Sequence, residues 1–204
     1  VSEILKRQHA DGYWDRPDRF YHAKYRGSVW QLIVLAEHGP DPADPRIRRA
    51  GEFILSRAQD RSSGGFALHE AVRSGGGRAR EVIPCLTGNM VWSLLRLGFG
   101  TDPRVRQGID WLAEFLRFDD GDSRPPTDFP YNHWEMCYGR HSCFMGVVKG
   151  LKALAEVPAA ELARLLPGTP VQLRFGSEPP LTGRLRMVAP TVDPQTPYGL
   201  VYVD

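Results

Sequence analysis

The stretch "QHADGYW" (residues 8–14) places a glutamine, an Asp-Gly turn and a tryptophan close together. Two later stretches have a similar character, "AQDRSSGGF" (residues 58–66) and "LRFDDGD" (residues 116–122). Each of the first two follows an amphipathic segment, and the third occupies the corresponding place in the chain. The three turns lie about 50 to 60 residues apart, a period that is typical of helical-repeat architectures.

The segments between these turns also repeat. "DPRIRRAGEFIL", which begins at Asp44, matches "DPRVRQGIDWLA", which begins at Asp102. "CLTG" at Cys85 matches "CFMG" at Cys143 with the same offset of 58 residues. Apolar residues recur at spacings of three and four, which indicates amphipathic helices. Because aspartate caps helices and proline is tolerated in a first turn, each Asp-Pro pair predicts the start of a helix.

The helical pattern covers residues 1–157, and from Pro158 onward short alternating segments separated by proline and glycine indicate strands and turns. A helix pair of this size cannot bury its apolar face alone, so neighbouring pairs must stack or close into a ring. We therefore predict a mainly α domain over residues 1–157 and a small C-terminal β segment over residues 158–204.

Composition excludes several classes of protein. Twenty-six basic residues oppose 24 acidic residues without a basic stripe, so we predict no nucleic-acid partner. No apolar run approaches the roughly 20 residues of a membrane span, so we predict no transmembrane segment. The three cysteines are too few for a secreted disulfide scaffold, which favours reduced thiols and a cytoplasmic location.

The pattern Gln8-x3-Gly12-x-Trp14 resembles the Gln-Trp repeat motif of squalene and hopene cyclases. "RAGEFILSRAQDRSSGGF" resembles a longer copy with Phe66 in place of the tryptophan. Over about 150 residues the chain is similar to the α/α toroid family of terpenoid cyclases and protein prenyltransferases. The resemblance implies a partial α/α toroid of helical hairpins, in which the turn glutamine ties neighbouring helix ends and the aromatic residue packs over them.

A closed toroid of this family needs roughly twice as many helices as the five or so predicted here. We expect an open ring, or one that a second copy or a partner chain completes. The family implies a central cavity that holds an isoprenoid or other hydrophobic small molecule against aromatic walls, whose π faces attract positive charge. The candidate ligand contacts are His22, Trp30, Trp92, Trp134 and Tyr138, with core packing as the alternative role of the aromatic residues.

The stretch "HWEMCYGRHSC" (residues 133–143) is the densest in metal-ligating residue types. Protein prenyltransferases hold a catalytic zinc with one Asp, one Cys and one His, because zinc delivers a substrate thiolate. The candidate zinc ligands are Cys85, Cys137, His141 and Cys143, although their order and spacing differ from that family's site. A polar, packed helix start and a wall for an organic ligand are the alternatives.

Class II cyclases carry their general acid in an Asp-x-Asp-Asp motif, which this chain lacks. "FDDGD" supplies Asp119, Asp120 and Asp122 in a different order, at a place where a repeat turn is expected. Solvated turn carboxylates are therefore the favoured interpretation of these candidate catalytic residues. The sequence leaves two functions open, a prenyltransferase or terpenoid cyclase-like enzyme and a noncatalytic helical-repeat binding module.

The C-terminal 48 residues resemble part of the β-barrel domain of periplasmic adaptor (membrane-fusion) proteins of efflux pumps, most clearly in "VAPTVDPQT". By itself this resemblance implies a periplasmic location and bridging to an inner-membrane pump. The chain begins with Val1 and ends within a predicted strand, so both ends look cut. A truncated or chimeric chain that carries an adaptor fragment is the third hypothesis.

Overall fold

The computed structural model describes residues 1–117, 127–128, 130–132, 137 and 143–157, together with the backbone of residues 170–173, 181–188 and 201–203. This part of the chain is mainly helical, as predicted. Its α-helices are α1 (Ser2–Lys6), α2 (Ser28–His38), α3 (Pro45–Arg57), α4 (Pro84–Arg96), α5 (Pro103–Phe115) and α6 (Phe144–Ala155). Short 3₁₀ helices lie at Pro17–Arg19, Lys24–Arg26 and Ala79–Glu81.

The predicted Asp-Pro corners begin α3 and α5. The Asp44 carboxylate accepts a hydrogen bond of 2.8 Å from the Arg46 backbone, and Asp102 accepts one of 2.9 Å from the Arg104 backbone. Each carboxylate also forms an ion pair with the guanidinium of the same arginine, at 2.6 and 2.7 Å. The Arg46 hydrogen bond lowers the pKa of Asp44 to about 2. At both corners the ionised aspartate therefore accepts a hydrogen bond from a first-turn backbone amide that has no partner within the helix.

The repeat-turn glutamines tie each turn to the beginning of a helix. The Gln8 side-chain amide donates to the carbonyl of Arg46 in the first turn of α3, at 2.9 Å. The Gln59 amide donates to the carbonyl of Arg104 in the first turn of α5, at 2.6 Å. Each amide also donates to a glycine carbonyl within its own turn. The first and second turns thus use glutamine as a bridge in the way that the repeat motif predicts.

The aromatic residues of the first two turns are buried and anchored alike. The backbone amide of Trp14 donates to Ser28 Oγ at the start of α2, at 3.0 Å, and that of Phe66 donates to Thr87 Oγ1 in α4, at 2.9 Å. The indole of Trp14 also donates to the Ile4 carbonyl at 2.8 Å. Phenylalanine in the second copy keeps the packing and lacks this indole hydrogen bond. The third turn lies outside the described residues beyond position 117.

Helices α2, α4 and α6 pack as neighbours, with α4 contacting both of the others and also α5. The starts of α4 and α6 meet where Gly146 faces Pro84, since a Cβ on that glycine would lie 3.0 Å from the proline Cβ. Their ends meet where Arg96 pairs with Glu156 at 3.7 Å. The two helices are therefore parallel, although α5 lies between them in the chain. The α/α toroid itself stays a prediction.

Three strands lie in the C-terminal part, β1 (Pro170–Leu173), β2 (Leu181–Val188) and β3 (Val201–Val203), in the antiparallel order β1-β2-β3. Leu173 pairs with Leu181, and Val188 pairs with Val201. The assignment of residues 158–204 to a barrel fragment, and the domain boundary at residue 157, stay predictions. Within the described residues, no helix combines the length and the hydropathy that a membrane span requires.

Candidate functional site

Three thiols come together at the N-terminal ends of the parallel helices. Cys85 is the second residue of α4, and Cys143 directly precedes α6. The side chain of Cys137 is hydrogen-bonded to that of Cys143 and interacts electrostatically with Cys85. Burial raises the pKa of Tyr21, which precedes α2, and the nearby Cys85 and Cys137 add to the shift. We refer to Cys85, Cys137 and Cys143 as the thiol cluster, and all three are reduced and partly buried.

Burial disfavours the thiolate form of two of these cysteines, Cys137 and Cys85. It raises the pKa of Cys137 to about 12, with further contributions from Cys85 and Cys143. Burial also raises the pKa of Cys85, while the positive charge of Lys149 partly opposes that shift. Since the thiolate is the reactive and metal-binding form, Cys85 and Cys137 are weak nucleophiles as they stand.

Iodoacetamide labelling at pH 8 should therefore modify Cys137 at least a hundredfold more slowly in the folded protein than in guanidinium. A pKa of about 12 against an ordinary 9.0 leaves roughly a thousandfold less thiolate at this pH. Peptide mass mapping measures the rate at each cysteine, and Cys143 serves as the internal control for access to the cluster. Equal rates at Cys137 in the folded and unfolded protein would contradict the prediction.

The described residues contain no group of three His, Cys, Asp or Glu side chains placed to hold a metal ion. The thiol cluster therefore does not by itself form a metal site in this structure. His141, the fourth predicted ligand, lies outside the described residues. Zinc binding stays a prediction, and the function proposed below does not depend on it.

His22 and Trp30 lie at the same end of the helices as Tyr21. The imidazole of His22 stacks on that of His69, with ring centroids 4.5 Å apart and planes at 24°. His69 Nδ1 lies 2.7 Å from a carboxylate oxygen of Glu81. Burial lowers the pKa of His22, and the neighbouring His69 adds to the shift. Trp30 donates through Nε1 to the Tyr21 carbonyl at 2.9 Å. No spacing motif predicted these contacts of His69, since its stacking on His22 joins loops from successive repeats and its contact with Glu81 spans 12 positions of one loop.

Trp92, by contrast, lies in the second half of α4 and lines a groove of about 570 Å³. Its apolar wall continues on α6 with Val148, Leu151 and Ala155. Val148 and Leu151 expose 46% and 50% of their surface, whereas Trp92 exposes only 3%. The residues of this wall lie together along the helix, since positions three and four apart share a face.

Charged side chains form the rim of this groove. Lys152 donates to Glu37 across the helix layer at 2.5 Å, and its ammonium lies 3.4 Å from the centroid of the Trp92 ring. Arg96, 6.0 Å from the same ring, pairs with Glu156. Lys152 thus covers part of the Trp92 ring, which also belongs to the hydrophobic core. Sequence reasoning missed Lys152 and Glu37, because their contact spans 115 positions of the chain.

The structure thus separates the predicted ligand contacts, with His22 and Trp30 near the thiol cluster and Trp92 in the groove. The remaining candidates lie outside the described residues, namely Asp119, Asp120, Asp122, Trp134, Tyr138 and His141. Comparison of the chain with protein-family models, with curated proteins and with solved structures found no match.

Proposed function

We propose that the chain is a helical-repeat protein of the α/α toroid type that binds an isoprenoid-type or similar hydrophobic small molecule in the groove beside Trp92. The observation that carries the proposal is the exposure of Val148 and Leu151 on the groove wall. Their equivalents in α4, 58 positions earlier, are Met90 and Ser93, and both are fully buried. A helix face that is covered in α4 but is apolar and open in α6 is a place where a ligand can bind.

The size and lining of the groove agree with this proposal. A volume of about 570 Å³ lies within the range of small-molecule sites, roughly 300 to 1,000 Å³. Covering the exposed halves of Val148 and Leu151 would contribute about 2 to 4 kcal/mol, at roughly 25 cal/mol per Å² of apolar surface. Aliphatic and aromatic walls suit a hydrocarbon chain, and the charged rim leaves room for a polar end group.

The repeat geometry supports the toroid part of the proposal. Glutamine bridges at Gln8 and Gln59, and the parallel neighbours α4 and α6, are arrangements expected of stacked helical hairpins. Reduced thiols at Cys85, Cys137 and Cys143 support a cytoplasmic location within the same proposal. Ligand binding is the activity that the groove supports, and it fits a binding module as well as an enzyme of this family.

Leu151→Asp should weaken binding of a fluorescent farnesol analogue at least tenfold. The new carboxylate would be desolvated against the ligand, at a cost of well over the roughly 1.4 kcal/mol that a tenfold change represents. Fluorescence titration measures the affinity. Because Leu151 is half exposed, the substitution should leave the far-ultraviolet circular dichroism and the melting temperature nearly unchanged.

Val72→Asp is the matched control, since Val72 is 85% exposed and lies outside the groove. It introduces the same charge on an apolar surface position and should leave the affinity unchanged. Equal affinity of Leu151→Asp and the unaltered protein would place the ligand elsewhere. Failure of the unaltered protein to bind the farnesol analogue would overturn the proposed function.

A further inference from the structure

We propose that the ligand of this groove carries a cationic head group, and that the Lys152 ammonium occupies the head-group position while the groove is free. The inference rests on the proposed function, because it concerns the same groove. Lys152 Nζ lies 3.4 Å from the Trp92 ring centroid and 2.5 Å from a carboxylate oxygen of Glu37. An aromatic face combined with a carboxylate is the arrangement by which proteins recognise alkylammonium groups.

The charges around Trp92 favour a cation once Lys152 moves away. In the free protein two basic side chains, Lys152 and Arg96, balance two acidic ones, Glu37 and Glu156. Without the Lys152 ammonium the groove holds one excess negative charge. Arg96 is paired with Glu156 and lies farther from the ring, at 6.0 Å, so Glu37 is the carboxylate left without its partner.

Lys152 is able to move because it stands on the surface. Its side chain is 41% exposed and that of Glu37 is 54% exposed, so neither is held by surrounding core. Exposed ion pairs contribute little to stability, and a flexible lysine side chain reaches water easily. A ligand cation can therefore replace the lysine ammonium over Trp92 without disturbing the helices.

The apolar wall supplies the place for the rest of the ligand. Val148 lies one helical turn before Lys152 on the same side of α6, and both line the groove together with Leu151. An alkyl or prenyl chain attached to the cation would run along this wall. The ligand class is therefore an amphiphile with an ammonium head and a hydrocarbon tail.

Three ligands with the same tail separate the head-group inference from the proposed function. Decyltrimethylammonium, decanol and decanoate are titrated into the full chain by calorimetry, below their micellar concentrations and where circular dichroism stays unchanged. The cation should bind at least fivefold more tightly than the alcohol, and decanoate should bind most weakly. Glu37→Gln should remove the preference for the cation.

Lys152→Met removes the internal competitor and should strengthen binding of decyltrimethylammonium at least threefold. Lys6→Met is the control, because Lys6 also forms an exposed ion pair, with Glu3, but far along the chain from the groove. Equal binding of all three ligands, or tightest binding of decanoate, would overturn the cationic head group and leave the hydrophobic groove intact. Weaker cation binding by Lys152→Met would overturn the role of Lys152. Binding of none of the three would count against the proposed function itself.

Discussion

Gly64→Ala should lower the free energy of unfolding by about 2 to 5 kcal/mol. Gly64 has a φ of +82°, and a Cβ there would lie 2.6 Å from Gln107 Cβ and 2.7 Å from its carbonyl oxygen. The left-handed backbone disfavours alanine by roughly 1 to 2 kcal/mol, and the forced contact with α5 adds about 1 to 3 kcal/mol. Urea denaturation followed by circular dichroism measures the loss.

Alanine substitutions at two further glycines, Gly39 and Gly12, serve as controls for this experiment. Gly39 has a φ of +55°, and a Cβ added there would meet no atom within 4 Å, so Gly39→Ala isolates the backbone effect at about 1 kcal/mol. Gly12, the equivalent residue in the first turn, has a φ of +91° and would place its Cβ 2.3 Å from the Arg49 carbonyl oxygen. Gly12→Ala should therefore match Gly64→Ala. If Gly64→Ala lowers the free energy of unfolding no more than Gly39→Ala does, then the turn at Gly64 is not in close contact with α5.

The repeat turns were predictable because their chemistry is local. A glutamine near a helix end, a glycine with positive φ and a buried aromatic residue occur within one short stretch, and the second copy restates the first. The Asp44 and Asp102 caps need only the following two residues. The caps and the composition of each turn are specified by neighbouring positions, whereas the glutamine bonds to Arg46 and Arg104 span 38 and 45 positions and were expected only from the family resemblance.

The site was less predictable because it depends on how the helices are placed. Cys85 and Trp92 were both named as site residues, yet they are seven positions apart in α4. At 1.5 Å per residue that spacing separates them by about 10 Å along the helix, so one small ligand does not need to reach both. The contact of Lys152 with Glu37 depends in turn on how α2 and α6 both pack against α4. The sequence alone does not predict how these helices are aligned against one another.

The register of α4 and α6 is set by glycine, and Gly88→Ala should lower the free energy of unfolding by about 2 kcal/mol or more. A Cβ on Gly88 would lie 2.6 Å from the carbonyl carbon and oxygen of Lys149 and 2.7 Å from the backbone nitrogen of Gly150. In an isolated helix the change would stabilise by about 1 kcal/mol, because alanine is the better helix former. The close contact makes the net change in the free energy of unfolding negative. The atoms that the new Cβ would meet belong to the backbone and cannot change rotamer, so the whole of α6 has to move. Urea denaturation measures the loss.

Gly100→Ala and Gly146→Ala form a graded control for this contact. A Cβ on Gly100 would meet only Leu95 Cδ2 at an ordinary 3.7 Å, so little change is expected, whereas one on Gly146 would lie 3.0 Å from the Pro84 Cβ and should give an intermediate loss.

Displacement of α6 would also separate Cys143 from Cys85, since these thiols lie at the starts of the two helices. Iodoacetamide should therefore label Cys85 faster in Gly88→Ala than in Gly100→Ala under native conditions. Unchanged stability and labelling in Gly88→Ala would mean that α4 and α6 do not approach as closely as the glycines allow, and the groove between their C-terminal halves would then lose its defined shape.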